Sequence, residues 1–233
     1  MLIHNPDEHH LRAIQEWLIA EATQCGQSFI CNWNTISDAF NEGCMLVETE
    51  QDKPVSFFTF CSGRRVTEGL VAATVPAWRG RGIGTRMMNA VQTHLYATGA
   101  WVIHVECCPS ASEKFWRKLG YLDYPPGHWR KAAPNLHLYR SRGVPQTVTT
   151  NVSRVDLWFK DMGVPSSDPP NASFSTQHEL AIPIDLDWRA RVFDRNGNHA
   201  EDKIKRLAQR QCFEGGFLVA ESADWETADS DGR

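Results

Sequence analysis

The chain has 233 residues, 42% hydrophobic and 22% charged, with a formal net charge of −4. That is enough apolar sequence for one good core, or for a core and a small second domain, but no apolar run approaches the ~20 residues of a membrane span. The 24 basic and 28 acidic residues divide unevenly: residues 1–140 hold 13 of each and residues 141–233 hold 11 and 15, with no basic stripe of the kind nucleic acid requires.

The N-terminus MLIHNPDEHH lacks a basic start followed by an apolar segment, so no signal peptide is expected. The seven cysteines form no C-x-x-C and are spread too widely for a zinc framework. Reduced thiols, a cytoplasmic location and no metal are the expectation.

Asn5-Pro6-Asp7-Glu8 predicts a helix start, with Asn5 as cap and Pro6 at the first helical position, and Leu11, Ile14, Leu18 and Ala22 give the helix an apolar face. A shorter helix is predicted over Thr35–Asn41. Phe29, Trp33 and Phe40 either line an aromatic wall or join the core. Three strands follow, Cys44–Glu50, Val55–Cys61 and Val66–Val75, separated by turn residues and read as an antiparallel meander.

Pro76 to Val91 then reads PAWRGRGIGTRMMNAV. Glycines at 80, 82 and 84 bare the backbone, and Ile83, Met87, Val91 and Leu95 recur every four residues along a helix that Gly99 stops. A glycine turn running straight into a helix leaves the first N–H groups unpaired with the positive end of the dipole outward, which attracts an anion. Arg79, Arg81 and Arg86 can add forked donors suited to phosphate oxygens. A dinucleotide fingerprint fails because Thr85 or Met87 stands where its third glycine belongs, and a P-loop fails because the stretch holds no lysine.

Beyond the helix come a strand, Trp101–Cys107, and a capping box at Ser110-Ala111-Ser112-Glu113 opening a helix that Gly120 closes. Tyr121–Tyr124 and Leu136–Tyr139 read as strands around a Pro125-Pro126-Gly127 turn. Ser141–Asn151 looks like a linker. Val155–Phe159 reads as a strand, Gly163–Ser175 as a loop, and Leu180–Trp188 as an alternating strand kept to a sheet edge by Pro183. Ala200–Cys212 predicts a helix, Gly216–Ala220 a last strand, and residues 221–233 an acidic, disordered tail.

Two of these stretches carry a resemblance. Arg79-x-x-Gly82-x-Gly84 is similar to the acetyl-coenzyme A loop Q/R-x-x-G-x-G/A of the GNAT N-acetyltransferases, and SASEKFWRKLGY, with Phe115, Lys118, Leu119, Gly120 and Tyr121 in register, resembles the family's next motif. The order of elements over residues 1–140 resembles that family too. The resemblance implies an α/β (α+β) GNAT fold, a mixed central sheet flanked by helices, followed by a small C-terminal α+β extension at 152–220. It implies acetyl-CoA as co-substrate, held by Val75, Arg79, Gly80, Arg81, Gly82, Ile83, Gly84 and Thr85.

The implied reaction is direct transfer of the acetyl group to a primary amine of an unidentified small molecule or peptide. An alkylamine is only about one part in a thousand neutral at pH 7, so a base is valuable. By resemblance Glu68 and His104 compete for that role, and Glu106, two residues on from His104, shares its strand face. Two departures stand out: Trp116 occupies the place of the family's usual tyrosine acid, leaving Tyr121, Tyr124 or water, and Pro109 stands where an asparagine often contacts the cofactor. These departures motivate the alternative, an acyl-CoA-binding sensor with a degenerate active site. The C-terminal part is expected to shape the substrate cleft or to form a homodimer interface.

Overall fold

A computed structural model describes residues 1–125, 128–131, 133–143, 153–158, 169–170, 172–184, 189–194 and 196–226. The chain divides into two units, Met1–Glu106 and Cys107–Arg233. The first runs β1 (Leu2–Ile3), α1 (Glu8–Cys25), a 3-10 turn at Phe29–Asn32, α2 (Trp33–Asn41), β2 (Met45–Glu50), β3 (Lys53–Ser62), β4 (Val66–Thr74), α3 (Ile83–Ala97) and β5 (Val102–Cys107). Its sheet order is β1-β2-β3-β4-β5, antiparallel throughout except for the parallel β4–β5 pair.

The start of α1 differs from expectation. Asp7, not Asn5, is the cap: its carboxylate accepts from the His10 N–H at 3.1 Å while the His10 ring closes the box on the Asp7 N–H. An aspartate acceptor satisfies an orphan donor where the helix dipole favours negative charge, and the backbone bond from His10 lowers the Asp7 pKa.

One sheet face is covered by α1 and α2, where Ile14, Leu18 and Ile36 meet Met45, Val47, Phe57, Val71 and Ala73. Phe29, Trp33 and Phe40 pack against this cluster, so they belong to the core rather than to an open wall. The alternation of a strand sends Glu48 to the other face, where its ion pair with Arg86 lies under α3. There Ile83, Met87, Val91 and Leu95 are buried, as their four-residue recurrence predicts, and Met88 with them.

The register of β3 against β4 slips at one place: Thr59 faces Val71 but Phe60 faces Gly69, so Leu70 is an extra residue on β4. A bulge of this kind bends its strand and breaks pairing. The parallel ladder between β4 and β5 covers Val66–Gly69 against Val102–Val105 and goes no further among the described residues.

The second unit contains α4 (Glu113–Lys118), β6 (Leu122–Asp123) and β7 (Leu136–Ser141). The capping box expected at Ser110 does not form: Ser110–Ser112 is a 3-10 turn and Ser112 makes no side-chain cap bond. After it come β8 (Arg154–Trp158), β9 (Ala172–Ser175), β10 (Leu180–Pro183), β11 (Arg189–Phe193), α5 (Glu201–Gln209), β12 (Phe213–Glu214), β13 (Phe217–Ala220) and α6 (Ser222–Glu226).

Two three-stranded sheets, β11-β8-β9 and β10-β13-β12, share a core of Val155, Leu157, Leu180, Ile182, Val192 and Leu218. Pro183 lies on the outer strand β10, as a residue without an N–H should. Three expectations are corrected here. Leu180–Trp188 is not one strand, because β10 ends at Pro183 and β11 begins at Arg189, with 185–188 outside the described residues. Residues 172–175 form a strand rather than loop. Residues 222–226 are helical, with Trp225 buried in the core, whereas 227–233 lie outside the described residues. Most of the expected linker, 144–151, also lies outside them. No helix among the described residues is long and apolar enough to cross a membrane.

Two predictions follow from packing and charge. A Cβ on Gly69 would sit 2.9 Å from the Phe58 ring and 3.0 Å from Val105, so Gly69→Ala should destabilise the protein by about 1–3 kcal/mol in chemical denaturation. Hydrogen bonds from Arg117 and then Lys131 hold the Asp123 carboxyl down at about 2. A depressed carboxyl pKa contributes stability above the unfolded value near ~3.9 and loses it as pH falls through the folded value. Screening keeps that contribution small at a side chain 41% exposed. Acid titration of Asp123→Asn should therefore show a slightly shallower loss of stability between pH ~4 and ~2 than the wild type.

Candidate functional site

β4 runs out at Thr74, and the chain then turns through Val75 and a 3-10 turn at Pro76–Trp78 before reaching the glycines. The Val75 N–H donates to Val55 O at 2.9 Å, which ties the turn to the start of β3. Gly80 and Gly82 take φ of 75° and 77°, a left-handed backbone that side chains with a Cβ resist. Gly82 is the N-cap of α3 and has no side chain to accept from the first turn. The N–H groups there are left for something else, at the positive end of a 15-residue helix. A Cβ built on Gly80 or Gly82 meets nothing within 4 Å, so the space in front of the loop is open. Ile83 is buried, so only its backbone can serve a ligand, whereas Gly84 and Thr85 are partly exposed.

The three arginines are not equivalent. Arg79 donates through Nε to Thr74 O at 2.9 Å and through a terminal nitrogen to Glu21 Oε1 at 2.5 Å. Arg86 is held by Glu48 at 2.8 Å and Glu50 at 3.1 Å. Arg81 lies over the Trp78 ring, 4.9 Å from its centroid, and forms no ion pair among the described residues. Of the cations expected to face a phosphate, Arg81 alone is uncommitted to a carboxylate. Glu21 and Glu48 escaped the sequence reading because they lie 58 and 38 residues from their partners. A signal was present for Glu21, which shares the buried stripe of α1 with Ile14 and Leu18.

At the other end of β4, Glu68 and His104 stand opposite each other in the parallel ladder, one pair before it ends. Their side chains approach to 3.7 Å, beyond hydrogen-bond length. The imidazole is buried and the carboxylate side chain 53% exposed, so of the two Glu68 is the one open to solvent. Glu106 lies two positions further along β5 and is exposed. In the second unit, Trp116 is buried edge-on to Tyr121 at 5.1 Å, and Tyr124 packs against Tyr139 and Phe217. No group of three metal-ligating side chains occurs among the described residues.

Residues 41–122 match the family model described as the acetyltransferase (GNAT) domain. No curated protein matches the chain in sequence. Solved structures that resemble it include Ard1 from Thermoplasma volcanium, at 15% identity and a TM-score of 0.47 over 60% of this chain and 96% of that one. An aminoglycoside 6'-N-acetyltransferase complexed with coenzyme A is 14% identical, with a TM-score of 0.47 over 64% of this chain and 99% of that one. A GNAT family acetyltransferase from Brucella melitensis in complex with acetyl-CoA is also 14% identical, at 0.47 over 63% of this chain and 91% of that one.

The left-handed cap yields its own test. Gly82→Ala should cost roughly 1–2 kcal/mol of stability from backbone strain alone, since no protein atom obstructs the new methyl group. Gly82→Asn should recover part of that loss, because asparagine tolerates the left-handed region. Equal denaturation midpoints for all three proteins would contradict the assignment.

Proposed function

From a chain that carries a GNAT acetyltransferase domain at residues 41–122, we propose an acetyl-CoA-dependent N-acetyltransferase that acts directly on a primary amine. The observation that carries this reading is the facing of Glu68 and His104 across the last part of the β4–β5 ladder, on the strand that leads into an uncapped helix N-terminus. The phosphates fit the open side of the loop, where the N–H groups from Gly80 to Thr85 and the Arg81 guanidinium are available. Val75 and the end of β4 line the way from there to the carboxylate. We assign cofactor binding to residues 1–140 and place none of the proposed site in 152–220, which is left for substrate selection or self-association.

The thioester supplies the acyl group. The amine arrives protonated, and its proton passes to the exposed Glu68 carboxylate, with His104 behind it able to share the charge. The neutral nitrogen then bonds to the carbonyl carbon, the C–S bond breaks, and the sulfur leaves as a thiolate that takes up the second proton the nitrogen sheds as it becomes an amide. A thiol pKa of about 8.5 makes that departure tolerable without an acid, which fits the burial of Trp116 at the place of the usual tyrosine. Glu106 stays the reserve base.

Incubation with acetyl-CoA and a panel of amines, followed by titration of released thiol, tests the activity. Turnover on at least one amine class is expected. Coenzyme A binding without turnover on any amine would favour an acyl-CoA sensor instead. For the base, Glu68→Gln should lower kcat by about 10²–10⁴-fold, and His104→Gln should alter the pH profile of kcat/KM. Full activity in the double variant would remove both residues from the mechanism.

A further inference from the structure

We propose that Glu21, acting through Arg79, is a positioning residue of the cofactor loop, and that Arg79 is a strut rather than a phosphate ligand. This rests on the coenzyme A reading of the loop. Arg79 joins three elements: its Nε bonds the carbonyl of Thr74, the last residue of β4, a terminal guanidinium nitrogen bonds Glu21 on α1, and its backbone N–H closes the 3-10 turn on Pro76 O. The carboxylate is 7% exposed, and its second oxygen, Oε2, is buried with no hydrogen-bond partner among the described residues. Arg79 is thus the cation that offsets this buried charge. Swinging it outward toward a phosphate would strand that charge, which is costly.

The same logic applies at the other end of the loop, where Arg86 is spent on Glu48 and Glu50. Two of the three arginines are thus set against three carboxylates, so little positive charge accumulates along this segment. What it offers an anion is oriented backbone and one guanidinium, Arg81 over Trp78. Fixing the first residue of the loop relative to β4 and α1 orients those donors before the ligand arrives, and preorganisation of this kind appears as affinity. A lysine cannot replace Arg79, because a single ammonium does not span the Thr74 carbonyl and the Glu21 carboxylate with the geometry of a planar fork.

Calorimetry with coenzyme A on the full chain separates a strut from a ligand. Glu21→Gln, Arg79→Gln and Arg79→Lys should each weaken binding by a similar factor, on the order of tenfold, and the Glu21→Gln, Arg79→Gln double variant should lose no more than either single one. With acetyl-CoA as varied substrate, Glu21→Gln should raise KM and leave kcat at saturation within about twofold. Arg81→Ala, removing a direct contact, should multiply with Glu21→Gln. Wild-type affinity or better in Glu21→Gln, alongside a loss in Arg79→Gln that Lys restores, would make Arg79 a phosphate ligand and overturn the proposal. So would variants that lose thermal stability but bind coenzyme A as the wild type does. Failure of the wild type itself to bind coenzyme A would overturn the cofactor reading, and this inference with it.

Discussion

The extra residue at Leu70 is the constraint on which the site depends. A parallel pair of strands with unbroken register would have zipped β4 to β5 along its whole length and left no unsatisfied edge. The bulge ends that ladder after Gly69 and Val105, while β4 stays bonded to β3 as far as Thr74. The strand therefore keeps its support on one side and has backbone groups available on the other. Gly69 belongs to the same device, since Phe58 and Val105 close over the position where any side chain would begin. Glu68 and His104 owe their proximity to being the third of only four pairs.

The loop shows how local composition misleads about charge. A run with arginines at 79, 81 and 86 looks like an electropositive cradle, yet Glu21, Glu48 and Glu50 come from distant sequence to neutralise it. Fixed dipoles and one stacked guanidinium serve an anion with less solvent reorganisation than several mobile cations would. Arg79 and Arg86 are each held by carboxylates from distant sequence, which fix them relative to α1 and β2.

The strands and helices of the first unit were legible because each carries a period: the four-residue recurrence from Ile83 to Leu95, and short apolar runs between turn residues from residue 44 to 75. The glycines were legible because a left-handed backbone leaves few alternatives. Caps were read less well. Asn5, Pro6 and Asp7 all look like the start of a helix, and only the reciprocal bond with His10 selects Asp7. The bulge at Leu70 has no local signature, since it is a property of two strands in register. In the second unit, the alternation from Leu180 to Trp188 continues past Pro183, where β10 ends, because a period of two alone does not show where pairing stops.

Pro183 has a consequence for assembly. In the β10–β13 ladder the Ile184 N–H bonds inward to Gly216 O. By the two-residue period of a strand, the nitrogen of Pro183 faces the open side. Among the described residues β10 is an outer strand of that sheet, so it presents a ring where an incoming strand would seek a donor. Backbone pairing with a further strand along β10 is therefore interrupted at Pro183.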